Sequence, residues 1–413
     1  MRQTKRAKLD LTTSDDGNIN KDVVDNNQAD AVKPVKITII GAAGGIGQSL
    51  SLLLKTQLLP NSSASKYRYG TVHLALYDIN KDGVNGVTTD LSHIDTAVHV
   101  TSHSGEDGLV ESLTDSDLIV VTAGVARKPG MTREDLFQIN GKIILNLMDQ
   151  VVKNCDLSKC FILMVTNPVN SLIPLVIRKL RKELKGKTTT SIDDISKRVL
   201  GVTRLDSVRA ATFVHTSLRS KGIVIDFESL RVPVIGGHSG LTIIPLISQT
   251  KNKKKTIANI NTLISEEDVA KLTKRIQFGG DEVVKAKNGQ GSATLAMALA
   301  GFRVLEDLTS LLLDEVETIS DSPGFFLAIR DSNQKPLDIT DNDKLTNWLD
   351  ENFQEKSKNI EFFELPITID KHGVKKIDYE LLLNISEYEK KVLLPPCIDQ
   401  LIENFDQAKT IEV

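Results

Sequence analysis

From Val35 onward the chain alternates short runs of β-branched and aliphatic residues with longer stretches whose apolar positions recur every three or four residues. VKITII (35–40), TVHLALYD (71–78), DLIVVTA (117–123) and FILMVT (161–166) are too short and too uniformly apolar for helices and predict buried strands. Between and after them IGQSLSLLLKTQ, EDLFQINGKIILNLMDQVVKN and NSLIPLVIRKLRKEL carry helical spacing. Strand and helix in alternation predict a parallel sheet with helical crossovers. The fold class expected is α/β, a Rossmann-type doubly wound parallel sheet over residues 35–185.

KELKGKTTTSIDDISKR (182–198) is polar and predicts a surface excursion. The remainder, 198–413, mixes its elements and is expected to be an α+β catalytic domain. GVTRLDSVRAATFVHTSL is helical in spacing, IVIDF and LRVPVIGG predict short strands, and helices are expected around 265–287 and 292–315. The insert near 61–70 and the charged stretch DITDNDKLTNWLDENFQEKSKN (338–359) are expected to decorate the surface. Residues 1–34 are rich in Asp and Asn and poor in large apolar side chains, a composition expected to be disordered.

Composition changes little in this picture. The chain has 413 residues, 40% hydrophobic and 25% charged, as ordinary globular proteins do. The net charge of −3 offers no general field for nucleic acid, so a small anionic substrate would need local arginines. Cys155, Cys160 and Cys397 lack metal-ligand spacing and are expected to be reduced thiols; no metal site is expected. No apolar run approaches the roughly 18 residues of a membrane span. The amino-terminal segment is a poor mitochondrial presequence, because presequences are Arg-rich, amphipathic and nearly free of acid whereas this one is strewn with aspartates, and TIEV is no peroxisomal ending. Cytoplasm is therefore the expected compartment, with a nuclear fraction if KRAKLD acts as an import signal.

The strongest local chemistry lies in VKITIIGAAGGIGQSL. Gly41, Gly44 and Gly47 fall at a strand-to-helix junction, where a dinucleotide's pyrophosphate needs a tight turn, close backbone approach and a helix N-terminus. Asp78 ends the second strand, where an acid would hold the adenosine ribose hydroxyls and favour NAD over NADP. His238 sits among glycines in VPVIGGHSG, and an imidazole is suited to taking a proton from an alcohol near neutral pH. It would need a carboxylate partner, for which Asp206 in TRLDSVRA is a candidate. By spacing alone Asp206 and Arg209 form an intrahelical ion pair instead.

GAAGGIG, AGVARKPGMTREDLFQIN, VTNPVNSLIPL, GVTRLDSVRA, VPVIGGHSGLTIIPL and GSATLAMALAG stand in the order found in NAD-dependent malate dehydrogenases. The chain resembles the mitochondrial-type branch of that family, which includes the fungal cytosolic enzymes, strongly over about residues 35–315 and weakly beyond. The resemblance implies His238 as the acid/base and Asp206 as its orienting carboxylate. It implies Arg209, Arg127, Arg133 and Asn167 as substrate-binding residues. Val165, Thr166, Asn167, Asn140 and Met297 would line the cofactor, NAD. A dicarboxylate such as malate or oxaloacetate would then be held between Arg209 and Arg127, with Arg133 polarising the reacting carbonyl. A lactate-type enzyme would carry a neutral residue at the Arg127 position, which makes this residue the one that selects the substrate. A homodimer is likewise implied. Arg204 departs from the family pattern and is expected to point to solvent. Another 2-hydroxy-acid dehydrogenase is disfavoured by Arg127, and a non-catalytic NAD-binding relative by the presence of both His238 and Asp206.

Overall fold

Four of the six strands of the parallel sheet follow the apolar runs. β1 (Val35–Ile40), β2 (Val72–Tyr77), β4 (Leu118–Val121) and β5 (Phe161–Met164) are almost wholly buried, as strands covered by helices on both faces must be. The computed structural model describes residues 33–58, 72–125, 131–186, 190–252, 255–256 and 260–413. The disordered tail expected over 1–34, the import-signal hexamer and the insert at 61–70 fall outside the described residues, save Lys33 and Pro34.

β3 (His99–His103) and β6 (Val199–Val202) were not evident from patterning. β3 is the sheet's edge and half polar, HVTSH, while β6, VLGV, is short and interrupted by Gly201. The parallel order is β3-β2-β1-β4-β5-β6. The sheet then continues antiparallel through Phe325–Ala328, Phe362–Glu364, Val234–Gly236 and Ile243–Pro245, giving ten strands in all. This is the expected Rossmann sheet followed by a mixed α/β region, and the two are hydrogen-bonded into one sheet.

The first helix, α1 (Gly45–Gln57), buries Leu50 and Leu54 on one face and packs against the helix Leu295–Leu312. α2 (Lys81–Ser92) and α3 (Gly105–Leu113) follow β2 and β3. α4 (Arg133–Asn154) opens on a capping box: Thr132 Oγ1 accepts from the Asp135 amide at 3.0 Å, and Asp135 accepts from the Thr132 amide at 2.9 Å. α5 (Val169–Leu184) follows β5, and a short α6 (Ile192–Ser196) precedes β6. α7 (Arg204–Ser220) leaves β6 and buries Asp206, Ala210, Val214 and Leu218 along one stripe. Three of these four are apolar, and the fourth is an acid.

Two expectations fail and a third holds in part. IVIDF forms no strand; Val224 is exposed, and Asp226 opens a single 3-10 turn by accepting from the Glu228 amide. The stretch 338–359 is no decoration. It forms the helix Asn342–Phe353, which buries Leu345, Trp348 and Leu349, and Asp350 pairs with the buried Arg330 at 2.8 Å. Its charges occupy the helix's other face. The excursion at 182–198 is only partly superficial, since Ile195 and Ser196 of α6 are buried.

Candidate active site

The β1–α1 turn is built so that no side chain intrudes. Gly41 has φ +94°, and a methyl group there would lie 2.6 Å from the Ala123 amide nitrogen. At Gly47 a methyl would lie 2.3 Å from the Gly41 carbonyl oxygen, so the helix can sit down on the turn only as glycine. Gly44 is the N-cap of α1, and no side chain caps that helix. Its first amides remain available to an anion. Asp78 supports the turn from β2: one oxygen accepts from the Ala43 amide and the other from the Asn80 amide, each at 2.9 Å. Both oxygens keep lone pairs for ribose hydroxyls. The residues present therefore fit a dinucleotide.

The ends of β4 and β5 form the floor beside this turn. Thr166 donates its hydroxyl to Ala123 O at 2.7 Å, and Val165 is buried. Asn140, buried on α4, accepts from the Val125 amide at 2.8 Å and donates to Asn167 O at 2.8 Å. It thus ties the two loops together, a role the sequence did not suggest. Asn167 itself is exposed and precedes a cis proline. Met297 is buried near the start of Leu295–Leu312, whose preceding Thr294 packs against Gly45.

His238 and Asp206 meet across 32 residues of sequence, with Nδ1 of the imidazole 2.5 Å from Oδ2 of the carboxylate. The carboxylate is fully buried, and the histidine side chain, 11% exposed, keeps part of its ring accessible. The ion pair anticipated from spacing is also present but looser, with Arg209 Nη1 3.6 Å from Asp206 Oδ1. Asp206 therefore serves both partners. The two glycines before His238 act mainly as structure. Gly236 has φ +100° and lies under the Thr242 carbonyl, and Gly237 packs on Asn170 and Leu401. Asn170 was missed by the sequence reading; its side-chain oxygen accepts from the His238 amide at 2.8 Å, and its amide donates to Thr242 and Asn404. Gly279 was missed as well, and it leaves room for the Arg209 side chain, which a methyl would approach to 3.1 Å.

Arg127 lies outside the described residues, as does the side chain of Arg133, whose backbone opens α4. Arg204 does not point to solvent. Its side chain is 14% exposed, donates to Pro323 O at 2.9 Å and pairs with Asp307 at 3.2 Å. Burial pushes the Asp307 carboxyl up, and the Arg204 charge opposes that. Arg204→Ala would leave a poorly solvated acid unpaired and is expected to cost about 2 kcal/mol in urea unfolding. An unchanged midpoint would mean that the pair contributes nothing. His73 is set apart from this site. Its Nε2 contacts Thr101 Oγ1 at 2.8 Å, and burial, then His99, hold its pKa at about 4.

A glycine turn for a dinucleotide and a buried histidine–carboxylate pair on one continuous sheet define a nicotinamide-type dehydrogenase. Residues 35–189 match the lactate/malate dehydrogenase NAD binding domain, and residues 203–412 match the lactate/malate dehydrogenase alpha/beta C-terminal domain. The chain belongs to the lactate/malate dehydrogenase family. It is 44% identical over 375 residues to the cytoplasmic malate dehydrogenase of Saccharomyces cerevisiae, covering 91% of this chain and 94% of that one. It is 40% identical over 381 residues to the mitochondrial malate dehydrogenase of the same yeast, covering 91% and 93%. The crystal structure of Cryptosporidium parvum malate dehydrogenase shares the fold, with a TM-score of 0.66 at 23% identity over 92% of this chain and all of that one. The protein is accordingly an NAD-dependent oxidoreductase that carries out hydride transfer of the malate/lactate dehydrogenase type.

Proposed function

We propose that the protein catalyses the reversible oxidation of (S)-malate to oxaloacetate. The observation that carries this reading is the His238–Asp206 contact beside Arg209, which groups an acid/base and a guanidinium at one partly open position. NAD, when bound, supplies the hydride acceptor. His238 takes the hydroxyl proton of malate on its accessible nitrogen, and Asp206 holds the other nitrogen protonated and stabilises the imidazolium. Arg209 binds the carboxylate next to the reacting carbon, and Arg127 binds the distal one. Arg133 and Asn167 complete the substrate contacts. Gly41, Gly44, Gly47, Asp78, Asn140, Val165, Thr166, Asn167 and Met297 form the cofactor side.

The same reading places the cofactor domain at 35–185 and the substrate domain at 198–413. It assigns the protein to the branch that includes fungal cytosolic enzymes, supported by the yeast cytoplasmic relative. It takes the protein to be a cytoplasmic homodimer without nucleic-acid partners. Among the described residues no helix is long and apolar enough to cross a membrane.

The test is NADH oxidation by the purified protein with oxaloacetate and pyruvate offered side by side. Turnover of oxaloacetate at least about 100-fold faster in kcat/KM is expected, because pyruvate leaves one desolvated guanidinium unpaired. Preference for pyruvate would replace malate by lactate as the substrate.

A further inference from the structure

The strand Phe362–Glu364 ends in an acid where an apolar residue would be expected. Glu364 is fully buried, and among the described residues neither carboxyl oxygen has a hydrogen-bond partner. Its strand pairs antiparallel with Val234–Gly236, Glu364 opposite Gly236, two residues before His238. On the other side it pairs with Phe325–Ala328, an apolar strand. Asp206, on α7, is the charge that acts on it, and Cys397, on the helix Leu394–Lys409, is the other titratable neighbour. The Thr203 hydroxyl lies near enough to favour the ionised form, yet it makes no hydrogen bond of acceptable geometry. Among the described residues no cation acts on Glu364.

Asp206 shows the complementary deficiency. Oδ2 engages His238, whereas Oδ1 is buried with Arg209 3.6 Å away and, among the described residues, no hydrogen-bond donor. A buried carboxylate oxygen without a donor and a buried carboxyl without any partner are each costly. One proton relieves both. We propose that Glu364 is a positioning residue for the acid/base pair, standing as a neutral carboxylic acid behind Asp206 and supplying the donor that its outer oxygen lacks. Burial first, and the Asp206 charge second, push the Glu364 carboxyl well above the usual carboxylate range, which agrees with a neutral group. The site then carries one buried negative charge, drawn partly away from the imidazole. Glu364 thereby lowers the tendency of His238 to hold its proton after malate is oxidised.

This inference rests on the His238–Asp206 reading, and its test separates the two. The full-length protein, Glu364→Gln and Glu364→Leu are compared in the pH profile of kcat/KM for malate oxidation, with thermal melts and NADH binding as checks on folding. Gln keeps a donor and cannot ionise, so its half-maximal pH should match that of the wild type. Leu removes the donor, concentrates charge on the oxygen facing His238, and should move the half-maximal pH upward by on the order of half a unit or more. Were Glu364 ionised in the wild type, both variants would lose a negative charge and move the profile downward, overturning the proposal. A Leu profile superimposable on the wild type in a folded protein would overturn it too, since a purely structural side chain leaves the profile in place. If the Leu variant fails to fold, the carboxylic-acid C=O stretch in the infrared decides the matter. It should be present near neutral pH in the wild type and missing in Glu364→Gln, and its absence from the wild type overturns the proposal. Absence of turnover in the wild type with every 2-oxo acid would defeat the acid/base reading, while the infrared band would still report on Glu364.

Discussion

Replacing His238 by Asn is expected to lower kcat for malate oxidation about 1000-fold, the typical contribution of a positioned acid/base group. Asp206→Asn should cost a similar or larger factor for a different reason. The buried Oδ2 atom that meets His238 Nδ1 at 2.5 Å would become an amide, uncharged and able to present a donor to the same nitrogen. The imidazole would then settle in the wrong tautomer, and its protonated form would lose its counter-charge. Neither variant should alter NADH binding by more than a few-fold, since the glycine turn and Asp78 stand on other elements. The measurement is steady-state kcat together with NADH fluorescence titration. A loss smaller than about tenfold in either variant would remove the pair from the mechanism.

Arg127→Gln is expected to lower kcat/KM for oxaloacetate about 1000-fold, close to 4 kcal/mol, while turnover of pyruvate rises or holds. The reasoning is electrostatic. On the proposed assignment a dicarboxylate in a water-excluding site needs a cation at each end, and Arg209 would satisfy only the end next to the reacting carbon. Removing the distal partner leaves a carboxylate desolvated and unpaired, whereas a methyl group in the same place asks for nothing. Equal losses for the two substrates would place Arg127 outside the substrate contacts.

The parts of this site that were legible in the sequence are those whose chemistry is local. A Cβ-free turn between an apolar strand and an amphipathic helix shows itself in a dozen residues, as Gly41, Gly44 and Gly47 do. The His238–Asp206 contact joins residues 32 apart, so spacing on α7 pointed only to the weaker Arg209 pair. One signal was available: Asp206 occupies the apolar stripe of Ala210, Val214 and Leu218, where an acid requires a buried partner. Arg204 was misread because a charge beside a loop resembles a solvated one until Asp307 and Ser322 are placed around it. Asn140 and Asn170 act through backbone groups distant in the chain, and Glu364 lies in a tail whose charged composition hides its buried strands. β3 escaped notice because an edge strand need not be apolar.

The unbroken run of strands from β3 to Ile243–Pro245 limits how this chain can be divided. β6 lies between β5 and Phe325–Ala328, so a cut near residue 190 would take from the amino-terminal half the strand that covers β5. Either fragment would expose a row of interior amides and carbonyls, a template for aggregation. The halves are thus not exchangeable cassettes. A chimera assembled from two relatives would inherit a seam running through the middle of a sheet, and its success would depend on matching side chains above and below β6 more than on matching either active-site half.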